Sequence, residues 1–103
     1  MKIIVNLIGK MNDTLEEIFY YAEKAHAIHA DFKNLSDVYI KIAEMHVDIY
    51  KQLHEQAVKL ISEERQNRVP PPEMLAIWNY EHENLVKNFS KAKFMIEEYH
   101  KQY

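Results

Sequence analysis

The segment 22–32, AEKAHAIHADF, contains a group of side chains that could bind a metal ion. His26 and His29 are three residues apart, and Glu23 precedes His26 by three, so a helix places them near one another. Imidazole and carboxylate groups are common ligands of zinc, iron and manganese. The spacing leaves two alternatives open: part of a metal site, or histidines of a helical core beside a glutamate.

The composition predicts an almost entirely helical fold around these side chains. The 103 residues include one glycine and three adjacent prolines, so long stretches are free of helix breakers. A chain of this length can bury one core, and we expect a single helical-bundle domain over residues 1–103. The absence of cysteine excludes disulfides, zinc–thiolate sites and thiol nucleophiles.

Charge and hydropathy limit the partners that we expect. A net charge of -3 gives no basic surface for nucleic acid. No apolar run approaches the roughly 20 residues of a membrane span. The opening MKIIVNLIGK lacks the cleavage site of a signal peptide. The sequence therefore predicts a cytoplasmic protein with neither nucleic acid nor membrane as a partner.

Helix-start signals and prolines predict three long helices. Thr14 and Glu17 have the spacing of a capping box, so the first helix should begin there and run to about residue 34. Apolar residues at 4, 8 and 11 continue its stripe, which predicts a short N-terminal helical extension bent at Gly9 or residue 12. Ser36 or Asp37 should cap the second helix, which runs to about residue 66. The prolines at 70–72 end that segment, and the third helix should run from about residue 72 to near the C-terminus.

Apolar periodicity predicts which side of each helix faces the core. The predicted core residues of the first helix are Ile4, Ile8, Met11, Leu15, Ile18, Phe19, Ala22, Ala25, His26 and His29. Those of the second are Val38, Ile42, Met45 or His46, Ile49, Leu53, Ala57 and Leu60. Those of the third are Leu75, Trp78, His82, Leu85, Phe89, Ala92, Ile96, Tyr99 and Tyr103. With short connections, these helices should form an all-α, up-down antiparallel bundle of three long helices.

Some apolar residues fall outside these stripes. Ile40, Val47 and Val58 are predicted on the back of the second helix, and Phe94 on the back of the third. Apolar surface that the bundle leaves over is typical of proteins that associate. We therefore expect a homo-oligomer, with a dimer favoured, or docking onto another protein.

Four of the six histidines are predicted to point inward: His26, His29, His46 and His82. Together with Glu23 and Glu81 they are the candidate metal ligands, and iron, zinc or manganese would be the metal. A di-iron bundle needs a second E-x-x-H, but the residue three before His82 is Asn79. Hydrogen-bonded core histidines and a pH-sensitive polar core remain the alternatives.

Motifs of ordinary enzymes do not occur in the chain. It has no glycine-rich phosphate loop, no G-x-S-x-G and no H-E-x-x-H. Thr14 and Ser36 are predicted as caps, so neither is a convincing nucleophile. These observations favour a protein that is not an enzyme and leave the cofactor unknown.

Three blocks carry a resemblance to known proteins: AEKAHAIHADF at 22–32, IAEMHVDIYKQLHEQAVKLISEE at 42–64 and VPPPEMLAIWNYEHENLVKNFSKAKFMIEEY at 69–99. They resemble small uncharacterised helical proteins encoded by phages and prophages of bacteria, and the similarity covers most of the chain. More distantly, the A-E-x-H and L-H spacings look like the ferritin-like class of helical bundles, which bind two metals or none. The resemblance implies an accessory protein that binds a host or virion protein in the cytoplasm of a bacterial or phage-infected cell.

The sequence supports two hypotheses about function. The leading hypothesis is a small non-enzymatic helical interaction protein that self-associates or binds another protein. The alternative is a small ferritin-like metal-binding protein with an inward-facing His/Glu site.

Overall fold

The computed structural model describes residues 2–67 and 72–103, which form three α-helices. They are α1 (Lys2–Ile28), α2 (Lys33–Asn67) and α3 (Pro72–Gln102). The helices run up, down and up around one apolar core, in a bundle 56 × 19 × 18 Å. The predicted all-α bundle of three long helices is confirmed, and the predicted break at 68–71 lies outside the described residues.

The first helix is longer at its N-terminal end than the capping signal predicted. It continues through Gly9, and the hydroxyl of Thr14 donates a 2.7 Å hydrogen bond to the Lys10 carbonyl one turn earlier. Thr14 is therefore an internal helical residue, and its prediction as a cap was wrong. Ile4 and Met11 are fully buried, and the free energy of burying them offsets the modest helix-propensity cost of one glycine.

The first helix also ends earlier, at Ile28 instead of residue 34. The Phe32 amide donates to the Ile28 carbonyl at 2.8 Å, which closes a tight connection before α2 begins at Lys33. The Ser36 amide in turn donates to the Phe32 carbonyl, so Ser36 lies inside the first turn of α2. Its prediction as a cap was wrong, because its hydroxyl bonds to a neighbouring helix instead.

The core confirms the predicted sides of α1 and α3. The apolar core residues are each at most 8% exposed. Those of α1 and α3 are Ile4, Ile8, Met11, Leu15, Ile18, Ala22, Ala25, Met74, Trp78, Leu85, Ala92, Ile96 and Tyr99. Those of α2 are Ile40, Ala43, Tyr50, Ala57 and Ile61. Tyr103 differs from the prediction, because it is 52% exposed.

The predicted core side of α2 was wrong over its first half. Val38, Met45 and Ile49 are 49%, 63% and 44% exposed, whereas Ile40 is buried and Val47 packs against the core. The helix carries two apolar stripes with the same alternating spacing, offset by one or two residues at each step and by about 140° around the helix. The inner stripe contains Ile40, Ala43, Val47, Tyr50, His54, Ala57 and Ile61. The outer stripe contains Val38, Ile42, Met45 and Ile49.

The exposure of Val58 and Phe94 is as predicted. Packing between the helices is uneven: α1 packs closely on α2, whereas α2 and α3 approach each other at few points. Between α2 and α3 lies an open groove with Val47, Tyr50, Phe89 and Ile96 on its walls. Within the described segments, no helix has the length and apolar character that crossing a membrane requires.

Candidate functional site

The first pair of predicted metal ligands lies at the C-terminal end of α1. His26 Nε2 is 3.2 Å from the Met95 carbonyl oxygen, so the protonated nitrogen donates a hydrogen bond to α3. The His29 ring stacks on Tyr103 with 3.5 Å between ring centroids, and its Nε2 is buried without a hydrogen-bond partner. Both histidines are held among aromatic side chains of α3 and act there as half-buried packing groups.

His46 lies elsewhere, on the side of α2 that contacts α1. Its Nδ1 donates to the Ile42 carbonyl at 2.9 Å, and its ring stacks on Tyr21 with centroids 5.8 Å apart. This hydrogen bond within α2 fixes the orientation of the ring. The polar partner of the His46 side chain is therefore the backbone of its own helix.

His82 is paired with His54, which is not among the predicted core residues of α2. The Nε2 atoms of His54 on α2 and His82 on α3 are 3.1 Å apart, a hydrogen bond in which one ring donates and the other accepts. Trp78 packs beside them, with its ring centroid 4.7 Å from that of His82 and 6.0 Å from that of His54. The two imidazoles bridge the edge of the α2–α3 groove.

The six predicted ligands are not brought to one place. His26 bonds to Met95, and Met95 is 13 residues from His82 on α3, about 20 Å along the helix axis. Glu23 is exposed and Glu81 is half-buried. Within residues 2–67 and 72–103, no group of three or more His, Cys, Asp or Glu side chains could hold a metal ion. A single ferritin-like site built from all six residues therefore has no counterpart in this part of the chain.

The histidine pair has a distinctive electrostatic environment. Burial lowers the pKa of His54 below its usual value, and the neighbouring His82 lowers it further. The charged form is disfavoured because two protonated imidazoles at this separation would repel each other and lose their shared hydrogen bond. The lowered pKa favours the neutral form of His54, which shares an N–H···N hydrogen bond with His82.

Tyr50 lies next to this pair in the core. Its ring stacks on Phe89 with centroids 4.1 Å apart, and its buried hydroxyl has no hydrogen-bond partner. Burial raises the pKa of Tyr50 to about 12. The side chain therefore contributes packing across the α2–α3 groove and no activated hydroxyl.

The outer stripe of α2 is the second unusual feature of the surface. Its members lie at positions 38, 42, 45 and 49, the four-three-four spacing of a coiled-coil seam. Exposed Lys41 and Asp48 flank the stripe on the side away from α1. Single exposed apolar residues are ordinary on protein surfaces, but a regular row of them on one helix is typical of an interaction surface.

The fold and these surfaces define a small three-helix bundle with an unpaired helix seam. Comparison with protein-family models, with curated proteins and with solved structures finds no match to this chain.

Proposed function

We propose that this protein is a non-enzymatic interaction protein that forms a homodimer through the outer stripe of α2. The observation that carries the proposal is a regular apolar row on α2, in which Val38, Met45 and Ile49 are exposed and Ile42 is half-buried. Its expected location is the cytoplasm of a bacterial or phage-infected cell, where a small accessory protein would act by binding.

The row is self-complementary when two copies of α2 run antiparallel. A twofold axis between residues 43 and 44 places Ile42 against Met45 of the second copy, and Val38 against Ile49 of the second copy. Each pair consists of two apolar side chains of similar size, so both layers can pack without a void. A closed twofold contact of this kind uses one surface patch twice.

The flanking charges favour the antiparallel arrangement. With Ile42 opposite Met45 of the second copy, Lys41 comes within about 3 Å, along the helix axis, of the level of Asp48 of the second copy. The twofold axis repeats this pair of opposite charges. In a parallel arrangement Lys41 would face the other flank of the seam, where Tyr39 and His46 lie, and the two ion pairs would not form.

The energy of this contact predicts a reversible dimer. Burying three side chains that are each about half exposed, on both copies, contributes roughly 5–8 kcal/mol before the association cost is subtracted. Lost translational and rotational freedom costs at least about 4 kcal/mol, so little surplus remains. We therefore expect a dimer that dissociates on dilution, unlike an obligate one.

Sedimentation equilibrium over a range of concentrations tests the proposal. The average mass of the wild-type protein should rise toward that of a dimer at about 1 mM, because a surplus of up to about 4 kcal/mol corresponds to a Kd of about 1 mM. Met45→Lys, which places a charge in the middle of the seam, should give a monomer with unchanged helix content. Phe94→Lys is the matched control, because Phe94 is similarly exposed but lies on α3.

The proposal fails if the wild-type protein is a monomer at this concentration. It also fails if Met45→Lys dimerises as well as the wild type, because the seam would then play no part. Loss of the dimer in Phe94→Lys alone would place the interface on α3 instead.

A further inference from the structure

We propose that His54 and His82 form a two-histidine site for a divalent transition-metal ion, with Cu²⁺, Ni²⁺ and Zn²⁺ as candidates. This site is separate from the seam of α2, and of the six ligands that the sequence predicted together it contains His82 alone. It joins two helices that otherwise approach each other at few points.

The separation of the two nitrogens carries the inference. Each Zn–N bond to histidine is about 2.05 Å long, so two nitrogens on one ion lie about 2.9 Å apart at a 90° angle and about 3.3 Å apart at a tetrahedral angle. The Nε2 atoms of His54 and His82 are 3.1 Å apart, between these values. The Nε2 atoms 3.1 Å apart and the ring centroids 5.3 Å apart place the two nitrogens head-on, so each ring must turn by about 40° for its lone pair to point at a shared ion.

The neighbouring aromatic side chains hold the two rings close together. The ring planes of His54 and His82 are inclined by 24°, with centroids 5.3 Å apart. Trp78 packs against both rings, and the ring centroid of Tyr50 lies 6.4 Å from that of His54. Ligands that are already positioned lose less rotational entropy when the ion binds.

Space beside the pair leaves coordination positions open. A cavity of about 320 Å³ is lined by His54, Tyr50, Phe89, Val86, Ser90 and Lys51. Water molecules can complete the coordination of the ion from this side, as they do in metal sites with fewer than four protein ligands. Lys51 also lines the cavity and is positively charged, like the ion. Because its side chain is exposed, solvent screens the repulsion between them.

The chemistry of imidazole limits the choice of metal. Neutral imidazole nitrogen suits copper, nickel and zinc, and affinity rises toward copper along the first-row series. For both Nε2 atoms to bind the ion, the ring that donates the hydrogen bond must carry its proton on Nδ1 instead, and two metal–nitrogen bonds then replace one N–H···N bond. Affinity should be below that of closed four-ligand zinc sites, since the protein supplies two ligands here.

The sole tryptophan provides a local measurement. Trp78 has its ring centroid 4.7 Å from that of His82, so a paramagnetic Cu²⁺ or Ni²⁺ ion on the pair should quench its fluorescence. We would titrate protein without an affinity tag with CuCl₂, NiCl₂ and ZnCl₂ separately at pH 7.4. Calorimetry of the same titrations gives the stoichiometry, which should be one ion per chain.

Variants locate the ion. His54→Ala and His82→Ala should each weaken binding by more than about tenfold, since even changes to residues behind the ligands cost that much. His54→Gln and His82→Gln keep most of the side-chain volume and should show the same loss, which guards against an unfolding artefact. His46→Ala is the matched control, because His46 is half-buried on α2 but is hydrogen-bonded within its own helix. Metal binding by this variant should be the same as that of the wild type.

Two results would overturn the site. One is an absence of Cu²⁺-dependent quenching of Trp78 at millimolar Cu²⁺ in folded wild-type protein. The other is quenching and binding that persist unchanged in both the His54 and the His82 variants, which would place the ion elsewhere.

Discussion

The phenolic oxygen of Tyr99 lies 2.9 Å from the hydroxyl oxygen of Ser36, which connects the last turns of α3 to the first turn of α2. Ser36 is fully buried and donates to the Ala25 carbonyl of α1 at 2.6 Å. Tyr99 donates to the Asp37 carboxylate at 2.7 Å. Both hydroxyl protons are used in these two bonds, so the two oxygens lie side by side without a proton between them. The polar contacts of Ser36 and Tyr99 include all three helices at this end of the bundle.

Removing either of these hydroxyls should destabilise the fold. Ser36→Ala leaves the buried Ala25 carbonyl without its donor, and Tyr99→Phe leaves Ser36 without its neighbour and Asp37 without a donor, so we expect each to lower the free energy of unfolding by about 1–3 kcal/mol. The double variant should lose less than the two single losses together, because the second change breaks contacts that are already lost. Urea denaturation measures all three, with Tyr80→Phe, at a 75% exposed position, as a neutral control. Strictly additive losses would mean that the two hydroxyls are not coupled.

Removal of the Tyr50 hydroxyl should change the free energy of unfolding in the opposite direction. This hydroxyl is buried without a partner, so Tyr50→Phe removes an unpaid desolvation cost and should raise the free energy of unfolding by about 1 kcal/mol. The same burial raises the pKa of Tyr50 to about 12. The unfolded chain ionises first, near pH 10, so wild-type stability should fall between about pH 10 and 12 more steeply than that of Tyr50→Phe. A loss of stability in Tyr50→Phe at pH 7 would show that the hydroxyl makes a hydrogen bond after all.

His54 should make stability depend on pH in the acid range. Its pKa is lowered in the folded state, first by burial and then by His82, so the unfolded chain binds the proton more tightly. The contribution of His54 to the free energy of unfolding is fully present above the usual histidine pKa of about 6.5. It is lost as the pH falls below that value toward the pKa of the folded state. Thermal melts from pH 7.5 to 5 should show a smaller decline for His54→Gln than for the wild type. Equal declines would assign the pH dependence to other groups.

Gly9 offers a prediction about the N-terminal half of α1. A methyl group added at its Cα would meet no atom within 4 Å, and the residue lies inside a continuous helix. Gly9→Ala should therefore raise the free energy of unfolding by about 0.5–1 kcal/mol, because alanine loses less backbone entropy in a helix. Urea denaturation checks this value. A decrease would indicate that α1 needs the flexibility of glycine at this point.

The sequence predicted α1 better than α2 for a physical reason. In α1 a single apolar stripe runs from Ile4 to Ala25, so periodicity alone identifies the buried side. In α2 two stripes have the same spacing, and only packing against α1 and α3 decides between them. Ala43, which was not among the predicted core residues, is small enough for the neighbouring helices to approach closely, an effect that hydrophobicity does not reveal.

The histidine pair was missed through the same error. Once the inner stripe of α2 is known, His54 falls on it, four residues after Tyr50 and three before Ala57. The predicted core side of α2 followed the outer stripe, which does not include His54. The inward position of His82 was predictable from α3, but its partner depended on the rotation of α2, which the sequence pattern left open.

The flanks of the proposed seam allow a charge-exchange test of how α2 pairs with a second copy. Lys41→Glu and Asp48→Lys each place like charges opposite one another twice in an antiparallel dimer. An exposed ion pair contributes about 0.2–1 kcal/mol, so each single variant should weaken dimerisation by roughly 2–30-fold. The double variant restores both pairs with reversed sign and should recover most of the wild-type affinity. Lys87→Glu on the exposed side of α3 is the control for net charge, and sedimentation equilibrium at low salt measures every variant. If the double variant dimerises no better than the single ones, Lys41 and Asp48 do not face each other, and the antiparallel arrangement is wrong even where Met45→Lys abolishes the dimer.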